Sequence, residues 1–490
     1  MQFQTNALPC LKRLKREVQT QEQTQELRLP DGLPDAGRIL GAWGQVILRS
    51  KEWHTGNAGA SGGVMAWVLY APEDGSAPRS VEVWIPFQMK WDIPDTDRDG
   101  TLCVHALLRA LDARMLSARK LLVRAGISVQ AEAMLPGMVE ISQPPELPGD
   151  LQLLKNIYPI RIPREAGEKP FSIDEELTVP TSVQEIISCQ FLPVITDSKV
   201  MAGRVVFRGT GMLRVLYQSA DGRLQSWETE LPFSQFTDLE QEYSGDGQVQ
   251  ITPILTGLEL DKAEDGHLHF NAGITCQYCV SDRSDVEIVE DAYSPHREVT
   301  VELAPLQIPV VLDQQSRNIY ARQSADVQGN SVADVTFFPD HPRTVRDEGG
   351  SAAELNGQFQ MLYYDENDML QSVTPRWENL EDVSADPGCR VETTLHMSGM
   401  PTGNMTAGQG SMQAELCLET ETVAEQGLSM VVAIEMGELR EPDPDRPSLI
   451  IRKVGDADLW EIARSAGSTV DAIRKANPSD GGEYLLIPIE

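Results

Sequence analysis

Three copies of one hairpin motif, spaced almost evenly along the chain, constrain its fold more than any other feature. In the first copy an apolar run ends at Tyr70, a turn is built on Asp74-Gly75, and a run of alternating apolar and polar residues follows. This pattern predicts an antiparallel β-hairpin. The second copy and a weaker third copy place the equivalent residues, Tyr217 and Tyr363, at steps of 147 and 146 residues. A repeat of this period predicts three homologous domains.

The length of 490 residues also favours three domains of about 150 residues each. We expect a mainly β chain: three tandem, antiparallel, β-sandwich-like repeats arranged as a beaded rod, followed by a small α+β module of order βααβ. The third repeat is degenerate. The predicted segments are a flexible arm (1–25), three β domains (26–160, 161–295 and 296–440), a Pro-rich acidic linker (441–447) and the βααβ module (448–490).

Residues 104–134 are ambiguous when read alone. Leu107, Leu108 and Leu111 recur at helical spacing among good helix formers. The equivalent segment of the second repeat, residues 249–276, instead reads as two strands around a turn. Because homologous repeats share a fold, we predict a hairpin here too, turning near residues 117–119. The glycine-rich segment 56–63 lacks the residues of a phosphate-binding loop, and we expect a flexible loop.

The composition argues against several classes of function. A formal net charge of −33 and a pI near 4.6 oppose binding to nucleic acid and to anionic membranes. No stretch approaches the ~20 apolar residues that span a bilayer, so no transmembrane segment is expected, and the N-terminus lacks the apolar core of a secretory signal. Seven scattered cysteines fit reduced thiols in a cytosol.

The C-terminal module closely resembles a LysM domain. The signature positions are occupied, in the family's order, by Gly455-Asp456, Leu459-Trp460, Ile462-Ala463, Asn477-Pro478 and the closing run 485–488. The turn after Gly455-Asp456 carries one extra residue, and the segment before the last strand is shortened. The resemblance implies a shallow groove between these two loops, in which LysM domains hold N-acetylglucosamine chains.

The longer N-terminal part resembles the SPOCS-repeat proteins of endospore formers, and the order of domains resembles spore-coat morphogenesis proteins with a C-terminal LysM domain. Besides the hairpins, the motifs that carry it are Leu33-Pro34-Asp35 with Ile39-Leu40, the run 119–125, and Asp291-Ala292-Tyr293-Ser294. The resemblance implies a protein of the mother-cell cytoplasm at the forespore surface. It also implies that the LysM module binds a coat-basement morphogenetic ATPase, alongside other coat proteins.

Candidate chemistry is sparse. Asp95, Asp97 and Asp99 match the first half of an EF-hand loop, but Ala106 stands where a bidentate Glu should complete a calcium site, so they remain a weak candidate. Cys276 and Cys279 have metal-like spacing, yet residues three apart on a strand point to opposite faces. We find no catalytic constellation and expect no enzyme activity, no cofactor and no other metal site.

The preferred hypothesis is a non-enzymatic adaptor of spore-coat assembly that uses the LysM module to bind protein. Leu459 and Ile462, at helical spacing, are equally consistent with a core role. The alternative is a peptidoglycan or N-acetylglucosamine binder of the cortex or cell wall, and an enzyme is a third hypothesis that only a bound metal would revive. The residues predicted to bind the partner or glycan are Asp456, Asp458, Leu459, Trp460, Ile462, Asn477 and Tyr484.

Overall fold

The computed structural model describes most of the chain. The described residues are all those outside 181, 202, 244–246, 264–265, 307–310, 348–349, 384, 386–387, 407, 425–427, 441–445, 454–457, 479–483 and 490. The fold is mainly β, as predicted, with short helices near the C-terminus. Every strand pair is antiparallel.

The strands fall into three successive units and a C-terminal module. Unit 1 contains β1 (Gln4–Arg28), β2 (Ala36–His54), β3 (Asn57–Pro72), β4 (Arg79–Asp92), β5 (Thr101–Ser117) and β6 (Lys120–Gln143). Unit 2 contains β7 (Gln152–Leu177), β8 (Val183–Met201), β9 (Arg204–Ser219), β10 (Leu224–Asp238), β11 (Gln248–Lys262) and β12 (Leu268–Tyr293).

Unit 3 has more strands than units 1 and 2, and most of them are shorter. It contains β13 (Arg297–Pro305), β14 (Val311–Asp326), β15 (Gly329–Pro339), β16 (Arg343–Asp347), β17 (Gly350–Asp365), β18 (Leu370–Val373), β19 (Arg376–Asp382), β20 (Cys389–Met397), β21 (Thr402–Thr406), β22 (Gln409–Ala424) and β23 (Ser429–Leu439). The module contains β24 (Leu449–Lys453), α1 (Leu459–Ala466), α2 (Val470–Ala476) and β25 (Tyr484–Pro488), which is the predicted βααβ order.

One topology recurs in all three units. One sheet has a long central strand: the order is β2-β3-β4 in unit 1 and β8-β9-β10 in unit 2, and in unit 3 the central β17 pairs with β15, β16, β18 and β19. The closing hairpin forms a second sheet with a strand from the beginning of the unit, in the orders β1-β6-β5, β7-β12-β11 and β14-β22-β20. The three predicted hairpin motifs are the pairs β3–β4, β9–β10 and β17–β18. The sequence period therefore corresponds to a structural repeat.

The hairpin prediction for residues 104–134 is confirmed by the pairing of β5 with β6 around a turn at residues 118–119. The register shifts between Leu108 and Ala110, which marks a bulge. Because a bulge moves the following residues to the opposite face, both Leu108 and Leu111 are buried although they lie three apart. The bulge explains why this strand has a helix-like apolar spacing.

The prediction of a flexible N-terminal arm is wrong. Residues 4–28 form β1, which pairs along its length with β6. Its polar residues alternate between half-buried and exposed positions from Glu17 onward. They suit an edge strand, and the hydrogen-bonding partner lies more than a hundred residues away in sequence. The border expected at residue 160 likewise falls inside β7.

The glycine-rich segment forms the turn after β2 and the beginning of β3 rather than a loop throughout. Only Gly56 has a positive φ, at 80°. A Cβ atom on Gly62 would lie 2.2 Å from the backbone oxygen of Ile47, and one on Gly63 would lie 2.3 Å from the ring of Trp84. The absence of side chains allows β2 and Trp84 to approach this closely.

The three units close into a ring rather than forming a beaded rod. The amide of Gln277 in unit 2 bonds both backbone groups of Val104 in unit 1, at 2.7 and 2.9 Å. Gln190 of unit 2 donates to Thr336 of unit 3 at 2.8 Å. At the remaining junction, between units 3 and 1, the Asp334 carboxylate accepts from the indole of Trp43 at 2.8 Å. One apolar cluster contains side chains from all three units, most of them from unit 2, and further clusters lie mainly in unit 1 and in unit 3.

The ring is also closed at one end by the outer halves of the long strands. Apolar side chains from β6, β7, β12 and β23 share two small clusters there. The backbone N–H of Phe3 donates to the oxygen of Val432 at 2.9 Å, which ties the beginning of unit 1 to the end of unit 3. These long-range contacts make the three units one body.

Candidate functional site

The C-terminal module has a very small core whose members come from α1, α2 and β25. Ile462, Ala463, Ile473 and Ile487 are at most 5% exposed. Thr469 caps α2, because its side chain accepts a hydrogen bond from the backbone N–H of Ala472 at 3.1 Å. At the start of α1, Asp458 occupies the N-cap position without a side-chain capping bond.

The core of this module is completed by Tyr293, the last residue of β12 in unit 2. The Tyr293 ring packs edge-on against Trp460, with ring centroids 4.7 Å apart, and belongs to the module's apolar cluster. The Tyr293 hydroxyl donates to the backbone oxygen of Ser468 at 3.0 Å. Two residues earlier, Asp291 accepts from the Trp460 indole at 2.9 Å and from Arg464 at 2.7 Å. The face of α1 that carries Trp460 therefore lies against the ring body.

Most of the predicted binding residues that the structure describes have a structural role in the module, and the others are exposed. Trp460 and Ile462 are buried, and Leu459 is half-buried beside them, so these three contribute to the core. Asn477 links α2 to β25, because its amide donates to the oxygens of Ile473 and Leu486 at 2.7 Å and accepts from the N–H of Leu486 at 2.9 Å. Asp458 is exposed.

Tyr484 belongs to an apolar surface that the sequence prediction missed. It is paired with Lys453 at one end of the β24–β25 ladder, and Ile451 and Leu449 follow on the same face. Their exposed fractions are 56% for Tyr484, 63% for Ile451 and 45% for Leu449. We call this surface, formed by Leu449, Ile451 and Tyr484, the strand face. Three adjoining large apolar side chains exposed on one sheet face are typical of an interaction site. Asp456 lies outside the described residues.

The interior of the ring contains a cavity of about 1120 Å³ that all three units line. His105 and His396 line it, and His341 lies behind them, with the centroid of the His105 ring 4.9 Å from that of His396 and 5.1 Å from that of His341. Burial lowers the pKa of all three imidazoles, that of His341 to about 3. The histidines are therefore neutral at ordinary pH and stabilise the junction between units 1 and 3.

A charged junction lies beside the cavity, where the three units meet. The guanidinium of Arg214 (unit 2) lies 3.6 Å from the carboxylate of Asp334 (unit 3), which also accepts from Trp43 (unit 1). Burial raises the pKa of Asp334, and the charge of Arg214 opposes that rise. Both side chains are at most 4% exposed. The described contacts at this junction are with other parts of the protein, which indicates a structural role.

The calcium candidate is not supported by the structure. Asp95, Asp97 and Asp99 are exposed on the loop between β4 and β5. Across the residues that the structure describes, no group of three or more His, Cys, Asp or Glu side chains is arranged to hold a metal ion. The three carboxylates thus do not converge. Cys276 and Cys279 point to opposite sides of β12, one into the common core and the other into a small polar chamber, as expected.

One comparison with known proteins gives a match. Residues 182–262, which run from β8 to the end of β11, match the family model described as SipL, SPOCS domain. This part of unit 2 is similar to the SipL SPOCS domain. The match indicates a sporulation-related protein and a non-enzymatic domain family. No curated protein and no solved structure matches the chain. The SPOCS character of units 1 and 3 and the LysM character of the module stay predictions.

The helices in the described part of the chain are eight and seven residues long, and neither is long and apolar enough to cross a membrane.

Proposed function

We propose that this protein is a non-enzymatic adaptor of spore-coat assembly that binds a coat-basement morphogenetic ATPase at the forespore surface. Two findings support the proposal. Residues 182–262 of unit 2 match a sporulation domain family. The C-terminal module, which resembles LysM in sequence, carries an exposed apolar face on a closed body of three units.

The strand face is the observation that carries the proposal. Its side chains lie on the side of the β24–β25 ladder opposite Ile487, which packs into the module's core. Ile451 and Tyr484 are exposed diagonal neighbours on this face, since Ile451 pairs with Leu486 and Tyr484 pairs with Lys453. Burying large apolar and aromatic side chains at the centre of an interface supplies most of the affinity of a typical protein complex. We therefore assign the ATPase contact to this face, together with the exposed Asp458.

The test is recovery of the purified ATPase by the immobilised full-length protein. We expect the double variant Ile451→Asp, Tyr484→Ala to lose recovery at least about a hundredfold, since hot-spot side chains contribute about 2 kcal/mol or more each. Tyr320→Ala is the matched control, because Tyr320 is a similarly exposed tyrosine on β14 of unit 3. Equal recovery by the double variant and the wild type would remove the strand face from the proposal.

A titration with chitin oligomers separates this function from glycan binding. We expect no saturable binding to the full-length protein. Saturable binding that Asp456→Ala abolishes, together with no recovery of the ATPase, would replace the adaptor with a glycan-binding protein.

A further inference from the structure

The docked position of the C-terminal module is specified by two residues at the end of β12. Asp291 and Tyr293 contact the module through their side chains, and the intervening Ala292 is fully buried on the body side. One Asp291 oxygen accepts hydrogen bonds from both the Trp460 indole and Arg464. The Tyr293 hydroxyl donates to the backbone oxygen of Ser468, just before α2. The contact is a specific hydrogen-bonded surface as well as an apolar one.

Because the module is small, its contact with unit 2 contributes to its stability. A unit of about 45 residues lies close to the limit of about 40 residues below which a core usually needs disulfides, metals or other chains to be stable. The cysteines of this chain are free, and all of them precede the module. Tyr293, at 4% exposed, contributes an aromatic ring beside that of Trp460 to the module's cluster, and Leu154 of β7 packs against the same cluster. Removing the body would expose Trp460 and leave its indole N–H without its carboxylate partner.

We propose that Asp291 and Tyr293 form an intramolecular docking site that completes the core of the C-terminal module and fixes its orientation on unit 2. The module is then a part of the ring body and not an independent domain on a linker. Docking through the α1 face directs the helices toward the body and leaves the strand face exposed. The inference extends the proposed function, because it explains how that face is presented, but it rests only on contacts within this chain.

The test is amide hydrogen exchange of the full-length protein, resolved by mass spectrometry. In Asp291→Ala and in Tyr293→Ala we expect exchange across α1 and α2 to accelerate by at least about tenfold, while β7 and β12 keep their protection. Glu290→Ala is the matched control, because Glu290 is the neighbour of Asp291 but bonds Asn156 and Tyr158 of β7. This control should leave the exchange of α1 and α2 unchanged.

A variant on the module's own side keeps the test valid if a substitution in β12 disturbs the body. Trp460→Phe retains an aromatic ring but removes the N–H that donates to Asp291, together with part of the buried ring volume, so it should also accelerate exchange in α1. Unchanged exchange of α1 in both Asp291→Ala and Trp460→Phe would overturn the inference. Because exchange is measured on the protein alone, this result is independent of whether the module binds the ATPase.

Discussion

Acidification should destabilise this protein through His341, at the junction between units 1 and 3. His341 is 3% exposed, and its Nδ1 atom lies 2.9 Å from the hydroxyl of Ser128. Burial, followed by repulsion from the neighbouring His396, lowers its pKa from 6.5 to about 3. The unfolded chain therefore binds a proton at this residue below about pH 6.5, whereas the folded protein does not until about pH 3. Stability must fall as the pH drops through this interval.

The magnitude follows from the two pKa values. At pH 5.5 the unfolded state gains RT ln 11, about 1.4 kcal/mol, from protonation of this one imidazole, while the folded state gains almost nothing. At pH 7.5 the same term is below about 0.1 kcal/mol. His105 and His396 have pKa values lowered by burial and add in the same direction. Glu419, 3.9 Å from His396, opposes part of the effect on that residue.

The assay is urea unfolding of the wild type and of His341→Gln at pH 7.5 and pH 5.5, followed by tryptophan fluorescence. The variant should be less stable at pH 7.5, because it disturbs the packing against His105. The difference in unfolding free energy should shrink by about 1.4 kcal/mol at pH 5.5, since glutamine does not titrate. Ser128→Ala serves as the control, because the hydroxyl does not titrate and its loss should cost about 1 kcal/mol at both pH values.

Two results would refute this reasoning. One is a free-energy difference between the wild type and His341→Gln that is the same at both pH values. The other is an NMR titration in which the His341 imidazole of the folded protein protonates with a midpoint near pH 6.5. Either result would mean that water reaches the His341 imidazole, and therefore that the junction between units 1 and 3 is open.

Three further substitutions test the packing. Asp334→Ala leaves Arg214 buried without its inter-unit carboxylate and should lower the free energy of unfolding by about 3 kcal/mol, measured as a lower urea midpoint. A loss of unfolding free energy below about 1 kcal/mol would contradict a closed ring. Gly62→Ala should destabilise by about 1–3 kcal/mol because a Cβ atom would collide with the Ile47 oxygen, and an unchanged midpoint would show that β2 can move away. Thr469→Ala removes the α2 cap and should cost about 1 kcal/mol, seen as faster amide exchange confined to α2; exchange at the wild-type rate would argue against the cap.

Local sequence patterns are sufficient to predict the hairpins. The run ending at Tyr217 and its Asp-Gly turn contain, within about twenty residues, both the β-forming side chains and the glycine that a tight turn requires. The repeat then extended the assignment to β5 and β6, where local propensity favours a helix. The βααβ order of the module was predictable for the same reason, since its caps and apolar spacing are local.

Other features depend on partners that are distant in sequence. The polar residues of β1 carry no strand signal of their own, and only pairing with β6 orders them. Tyr293 was recognised in a short motif, but nothing in that motif indicates that it packs against Trp460, 167 residues later. The sequence therefore predicts a binding role for Trp460, whereas the structure buries its side chain.

The mainly β class and the βααβ order of the C-terminal module can be read from the chain alone, because periodicity and turns encode each within a short window. The closure of the units into a ring, the docking of the module through α1 and the exposure of its strand face cannot be read in this way. These features arise from side chains that meet across hundreds of residues, and which surfaces become buried is a property of the assembled fold.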